Sequence, residues 1–208
     1  MTKRMEELAH EIVRLQTDLD REIEHRRKVL GWAVKGRLVQ FEQGLVAEQR
    51  ALRTSVAHFL ARSAIGSVVS APIIYSMIIP LVLIDLWTSL YQAICFRAYS
   101  IPRVRRADYI ALDRSQLGYL NWIEALNCSF CGYGNGVIAY VREVASRTEQ
   151  YWCPIKHALR IPTPHDRYIS FLEYGDAEGY RGRLEEFRDR LQVSSDVPDE
   201  HPSVRDIA

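Results

Sequence analysis

Net charge is almost absent from this chain: 27 Lys and Arg stand against 26 Asp and Glu, leaving +1. No global field therefore drives it toward nucleic acid or a membrane surface. Cysteine is sparse, four in 208 residues, which excludes a scaffold built on disulfides. The opening Met1-Thr-Lys-Arg-Met-Glu-Glu-Leu8 is charged and lacks the apolar core of a secretory signal. Also missing are a phosphate-binding P-loop, a Gly-x-Gly-x-x-Gly turn, a Gly-x-Ser-x-Gly elbow and a His-Glu-x-x-His pair. With no catalytic set legible, a non-enzymatic role is expected ahead of an enzymatic one.

Charge is present regionally. Residues 171–208 carry ten acids against five Arg, whereas 97–106 hold Arg97, Arg103, Arg105 and Arg106 and no acid. Between them and the N-terminal third lies an uncharged run. The 22 residues Ser63 to Ile84 contain no charge, and after Asp85 the run resumes from Leu86 to Phe96. A bilayer core of about 30 Å takes roughly 20 such residues as helix. The expectation is therefore one membrane-embedded segment within 63–96. It is either a single span or a re-entrant hairpin turning near Pro80; Pro72 and Pro80 each remove a helical hydrogen bond. Asp85 is placed at the interface, where Trp87 and Tyr91 suit an aromatic belt. The Arg97–Arg106 cluster fits anionic headgroups better than nucleic acid. Its position puts the segment beyond it in the cytoplasm, at an inner membrane.

Residues 2–30 read as a helix whose Met5, Leu8, Ile12, Leu15 and Leu19 recur every three or four residues. The seam is interrupted at Gly31–Gly36, and a second helix is expected over about 37–62, with Leu38, Phe41, Leu45, Leu52, Val56, Phe59 and Leu60 as its apolar set. The pair makes a helical hairpin or coiled coil over 1–62, and its seam offers a surface for homo-oligomerisation or a protein partner.

Three cysteines and a histidine carry the chemistry. Cys128-Ser-Phe-Cys131 and Cys153-Pro-Ile-Lys-His157 form a Cys-x2-Cys…Cys-x3-His pattern. Such a set suits a tetrahedral zinc site, with iron as the alternative, since both accept these ligands. The clustering favours a reduced compartment. Asp113 is expected to cap a helix that delivers into a turn at Cys128–Gly132, with Gly134 and Gly136 freeing backbone amides for the sulfurs. A helix over Val137–Trp152 then leads to Cys153, with His157 one turn further on. The thiol pair alone could instead be redox-active if one pKa is lowered. Glu143, Glu149 and His165 are read as ordinary polar groups, and Cys95 as a small hydrophobe.

Cys128-Ser-Phe-Cys131-Gly132-Tyr133 resembles a rubredoxin-type knuckle, and Trp152-Cys153-Pro154 resembles the approach to a second one. The resemblance covers about a dozen residues and implies iron electron transfer. Lys156, where the family's fourth cysteine would fall, departs from it and moves the fourth ligand to His157. More broadly, the stretch from Tyr75 to His157 resembles a family of uncharacterised bacterial membrane-associated proteins, which implies no activity. Past a linker at 162–169, a short acidic helix is expected near 176–192, ahead of a disordered tail.

Assembled, the expectation is a mainly α protein with four parts. These are an N-terminal hairpin (1–62), a membrane segment (63–96), a Cys/His metal module (97–170) and an acidic helix with its tail (171–208). Its function would be that of a membrane-anchored interaction or scaffold protein with structural zinc. Alternatives are an iron or dithiol redox protein, and a membrane enzyme acting on a lipid-linked substrate through Asp85.

Overall fold

The computed structural model describes residues 3–29, 32–35, 38–41 and 45–193. The chain is mainly helical, as expected, and its described residues form two compact units: those within 1–72 and 111–132 in one, those within 73–110 and 133–193 in the other. The predicted disordered tail from Ser194 and the interruption at Gly31 and Gly36 lie outside the described residues.

The first unit opens with α1 (Lys3–Val29), on which Leu8, Ile12, Leu15 and Leu19 are 43–61 % exposed. Its seam thus has no cover within the described chain. The expected second helix over 37–62 does not form as one piece. Strands β1 (Trp32–Lys35) and β2 (Leu38–Phe41) pair antiparallel, with Lys35 opposite Leu38. The sequences Trp-Ala-Val-Lys and Leu-Val-Gln-Phe, rich in β-formers, explain this. Short helices α2 (Leu45–Ala51) and α3 (Val56–Arg62) follow, the latter capped by Ser55, whose Oγ accepts from His58 N at 3.3 Å.

The apolar run becomes α4 (Ile65–Ser76) and α5 (Ile78–Tyr91), separated only by Met77 and continued by a π-helical turn, Gln92–Phe96. Pro80 is the third residue of α5. Its missing N–H falls among the first-turn donors that have no helical acceptor, so the chain steps at Met77 and then resumes. No hairpin turn occurs near Pro80; the re-entrant alternative is therefore not the conformation adopted.

After a short α6 (Arg106–Tyr109) and a 3-10 turn (Asp113–Gln116), one helix, α7, runs from Trp122 to Trp152. Its cap is Asn121, not Asp113. Asn121 Oδ1 accepts from Ile123 N and Glu124 N at 3.0 and 3.1 Å, while Glu124 Oε2 accepts from Asn121 N at 2.8 Å. This reciprocal capping box is an Asn-x-x-Glu signature that the sequence carries in plain sight.

The second unit is organised around Phe96, Ile101, Val104, Tyr140, Val144 and Leu191, with a smaller cluster of Phe171, Leu172 and Phe187. Helix α8 (Ala177–Val193) supplies Phe187 and Leu191; its first turn is capped by Asp176, whose Oδ1 accepts from Gly179 N at 2.8 Å. A positive φ of 55° at Ser100 and a bond from Ile101 N to Phe96 O at 2.8 Å end the helix begun at α5. The chain then doubles back, so that Val104 lies beside Gln92 and Arg106 beside Asp85.

Candidate functional site

Cys128 and Cys131 lie inside α7, three residues apart, Cys128 half-buried and Cys131 exposed, and neither is in a disulfide. No turn forms there, so the knuckle-like sequence does not adopt a knuckle. The glycines that suggested a turn serve close packing instead. A Cβ at Gly136 would stand 2.7 Å from Tyr109 O and 2.9 Å from Ile110 Cα; one at Gly132 would stand 2.9 Å from Ala111 O. In a helix this crowded, only glycine lets the neighbouring backbone approach.

Cys153 follows the last residue of α7, where its N–H donates to Glu149 O at 2.7 Å. At a rise of about 1.5 Å per residue, the uninterrupted helix carries Cys131 and Trp152 roughly 32 Å apart. His157 does not sit one helical turn beyond Cys153 either. Ile155 bridges Leu172 in extended backbone, and the exposed His157 donates its N–H to Tyr168 Oη at 2.6 Å. Among the described residues no group of three or more His, Cys, Asp or Glu is placed to hold a metal ion. The donor set Cys128, Cys131, Cys153 and His157 therefore does not fit one tetrahedral zinc or iron, for which all four donors must lie about 2.0–2.3 Å from one ion. The thiol pair is also poorly placed for an internal disulfide. Helical neighbours at i, i+3 have Cβ atoms about 5–6 Å apart, against the 3.5–4.5 Å that the bond requires.

The structure instead builds a site around Asp85. This carboxylate is 4 % exposed on α5 and accepts three hydrogen bonds. Arg106 Nε and Nη2 donate to its two oxygens at 2.7 and 2.6 Å, and Tyr133 Oη donates to Oδ2 at 2.8 Å. Bidentate pairing holds the Arg106 guanidinium even further toward its charged form than usual. Burial, reinforced by the Asp85 hydrogen bond, pushes the Tyr133 phenol upward, so it stays a donor. Asp85 is thus an internal tie rather than an unpartnered interfacial charge. Neither Arg106 nor Tyr133 was singled out as its partner in the sequence, because nothing local links positions 21 and 48 residues away.

Two turns on, Gln92 Oε1 accepts from Val104 N at 3.0 Å and its Nε2 donates to Val104 O at 3.2 Å and to Tyr140 Oη. Ser89 also meets Tyr140 Oη, at 3.2 Å. From Asp85 onward the helix buries Asp85, Thr88, Gln92 and Phe96, while Leu86, Trp87, Leu90 and Ile94 are 50–73 % exposed. The polar side faces inward and the apolar side outward, the reverse of a surface helix in water. Before Asp85 no residue of the helix is fully buried, although Ala71, Tyr75 and Leu81 are partly covered; Ile65, Val69, Ile73, Ile79 and Leu83 are 62–83 % exposed. Ile65–Phe96 is one helix long and apolar enough to cross a membrane, and none of its most apolar window is buried.

A second polar cluster lies along the later part of α7. Glu143 Oε1 accepts from Arg147 Nε and Arg167 Nη2, both at 2.7 Å; His165 Nε2 meets Glu149 Oε2 at 2.9 Å. Burial pushes the Glu143 carboxyl up, but the two guanidinium groups outweigh it and hold it below the ordinary carboxylate range. These contacts pin the 163–171 loop to the helix.

No family model, no curated protein and no solved structure matches this chain.

Proposed function

We propose that this chain is a membrane-anchored helical interaction protein, embedded through Ile65–Ile84. The observation that carries the reading is the change of environment at Asp85: a mostly exposed apolar helix with no buried residue before it, one buried polar face after it. The 20 residues from Ile65 to Ile84 rise about 30 Å as helix, the thickness of a hydrocarbon core. Leaving eleven exposed large apolar side chains of this segment in water would cost on the order of 10 kcal/mol, as much as the whole stability of a typical domain. Lipid removes that cost.

Asp85 then sits at the boundary, neutralised by Arg106, and beyond it the helix buries its polar face within the second unit. A lipid-linked enzymatic role is disfavoured because both Asp85 oxygens are already engaged. For interaction, the exposed α1 seam suits a partner helix, including α1 of a second copy. The inner membrane, with this unit on the cytoplasmic side, accords with the arginines beyond the segment.

The test is fractionation of cells expressing the full chain, followed by alkaline carbonate extraction. Retention in the membrane pellet is expected; release into the supernatant overturns the reading.

A further inference from the structure

The arginines beyond the apolar run do not form one undifferentiated basic patch. Arg106 is committed to Asp85. Arg97 continues the helix past Phe96, about 18 Å along the axis from Asp85. Arg103 and Arg105 flank Val104, which is 5 % exposed and held at both N–H and C=O by Gln92. Arg105 is itself extended, with φ −84° and ψ 98°. In extended backbone, alternate residues face opposite ways, so an anchored Val104 throws both arginines outward together. Both are exposed; Arg105 makes a loose ion pair with Asp108, Nε to Oδ2 at 3.8 Å, which leaves most of its guanidinium open to solvent.

Val104 marks the level of Gln92 and Arg106 that of Asp85, so Arg105 lies between them and Arg103 just past Gln92, which is about 10 Å along the helix from Asp85. That is the depth of lipid headgroups if Ile84 closes the hydrocarbon segment. Trp87, 73 % exposed and two residues past Asp85, gives the same level an interfacial aromatic.

We infer that Arg103 and Arg105, fixed by the Gln92–Val104 clamp, bind the phosphates of anionic lipids at this boundary. The inference rests on the membrane reading above and adds lipid selectivity to it. Two planar guanidinium groups held on a rigid rail suit phosphate oxygens better than a flexible basic tail would.

The test uses the full chain reconstituted in vesicles of phosphatidylcholine with phosphatidylglycerol, with bromine on one lipid or the other. Tryptophan quenching reports which lipid gathers around the protein. Brominated phosphatidylglycerol is expected to quench more strongly than brominated phosphatidylcholine at equal mole fraction. The preference should fall roughly fivefold per arginine removed, hence most in Arg103→Gln/Arg105→Gln. It should fall only in part in Arg103→Lys/Arg105→Lys, which keeps the charge but loses the planar fork. Equal quenching by both lipids in the wild type, or an unchanged preference in the glutamine variant, overturns the inference. Flotation of the same vesicles separates the two levels: a protein that does not float defeats the membrane reading and this inference with it. A protein that floats without preference defeats the inference alone.

Discussion

Arg106 grips Asp85 through two nearly equal hydrogen bonds, 2.7 Å from Nε and 2.6 Å from Nη2, across 21 residues of chain. The carboxylate is buried while the Arg106 side chain is 46 % exposed, so solvent screens part of the attraction. Asp85→Ala should nevertheless destabilise the protein by about 2 kcal/mol, since it leaves Arg106 and Tyr133 without their acceptor. In a double-mutant cycle with Arg106→Ala, denaturant unfolding in detergent should give a coupling of about 1–2 kcal/mol. Additive single effects would mean that the pair does not tie the helix to the returning chain.

The glycines of α7 supply a second test. Gly136→Ala drives a Cβ to within 2.7 Å of the Tyr109 carbonyl oxygen and should cost about 1–3 kcal/mol, despite alanine's better helix propensity. Gly182, in α8, has nothing within 4 Å of its would-be Cβ. There the same substitution should stabilise by about 0.5–1 kcal/mol. Thermal melts of the two variants should therefore move in opposite directions.

These glycines also mark how far the sequence could be read. The apolar run, the α1 seam and the helix near 176–192 were visible because each depends on local periodicity or on the plain absence of charge. The hairpin Trp32–Phe41 was hidden by treating Gly36 as a break between helices, although its β-forming flanks were present. Cys128–Gly136 misled in the opposite sense. Cys-x-x-Cys followed by three glycines favours a turn locally, yet Gly132 and Gly136 are needed to seat α7 against residues 109–111, and tertiary packing overrides propensity. The partners of Asp85 and the Gln92–Val104 clamp were beyond reach, because they depend on the chain doubling back after Ser100.

Acid should expose the Glu143 cluster. With its pKa held below the ordinary value, Glu143 contributes stability that is fully present above the unfolded carboxyl value of about 4.3. That contribution is lost as pH falls through the lower, folded value. The wild-type melting temperature should therefore drop more steeply below about pH 4.5 than that of Glu143→Gln, which has no such proton to bind. At neutral pH the variant should already melt lower, because Arg147 and Arg167 lose their shared acceptor. Parallel pH profiles would contradict this.

Metal analysis bears on the cysteines. Because α7 holds Cys131 and Cys153 apart, Cys153→Ser and His157→Ala should leave the zinc content of the purified protein unchanged, whatever that content is. About one equivalent of zinc, lost in both variants and in Cys128→Ser, would restore a closed four-ligand site and refute the helical separation.

The most direct measurement is depth along the apolar helix. Spin labels placed singly at Ile79 and Ile94, in the full chain with its four cysteines changed to serine and reconstituted in vesicles, would be probed with oxygen and a water-soluble nickel complex. Both positions are about 60 % exposed, so neither is shielded by protein. The account predicts that oxygen reaches the Ile79 label and nickel does not, whereas nickel reaches the Ile94 label readily. Equal nickel access at both positions would contradict membrane insertion, and equal exclusion would contradict a boundary at Asp85.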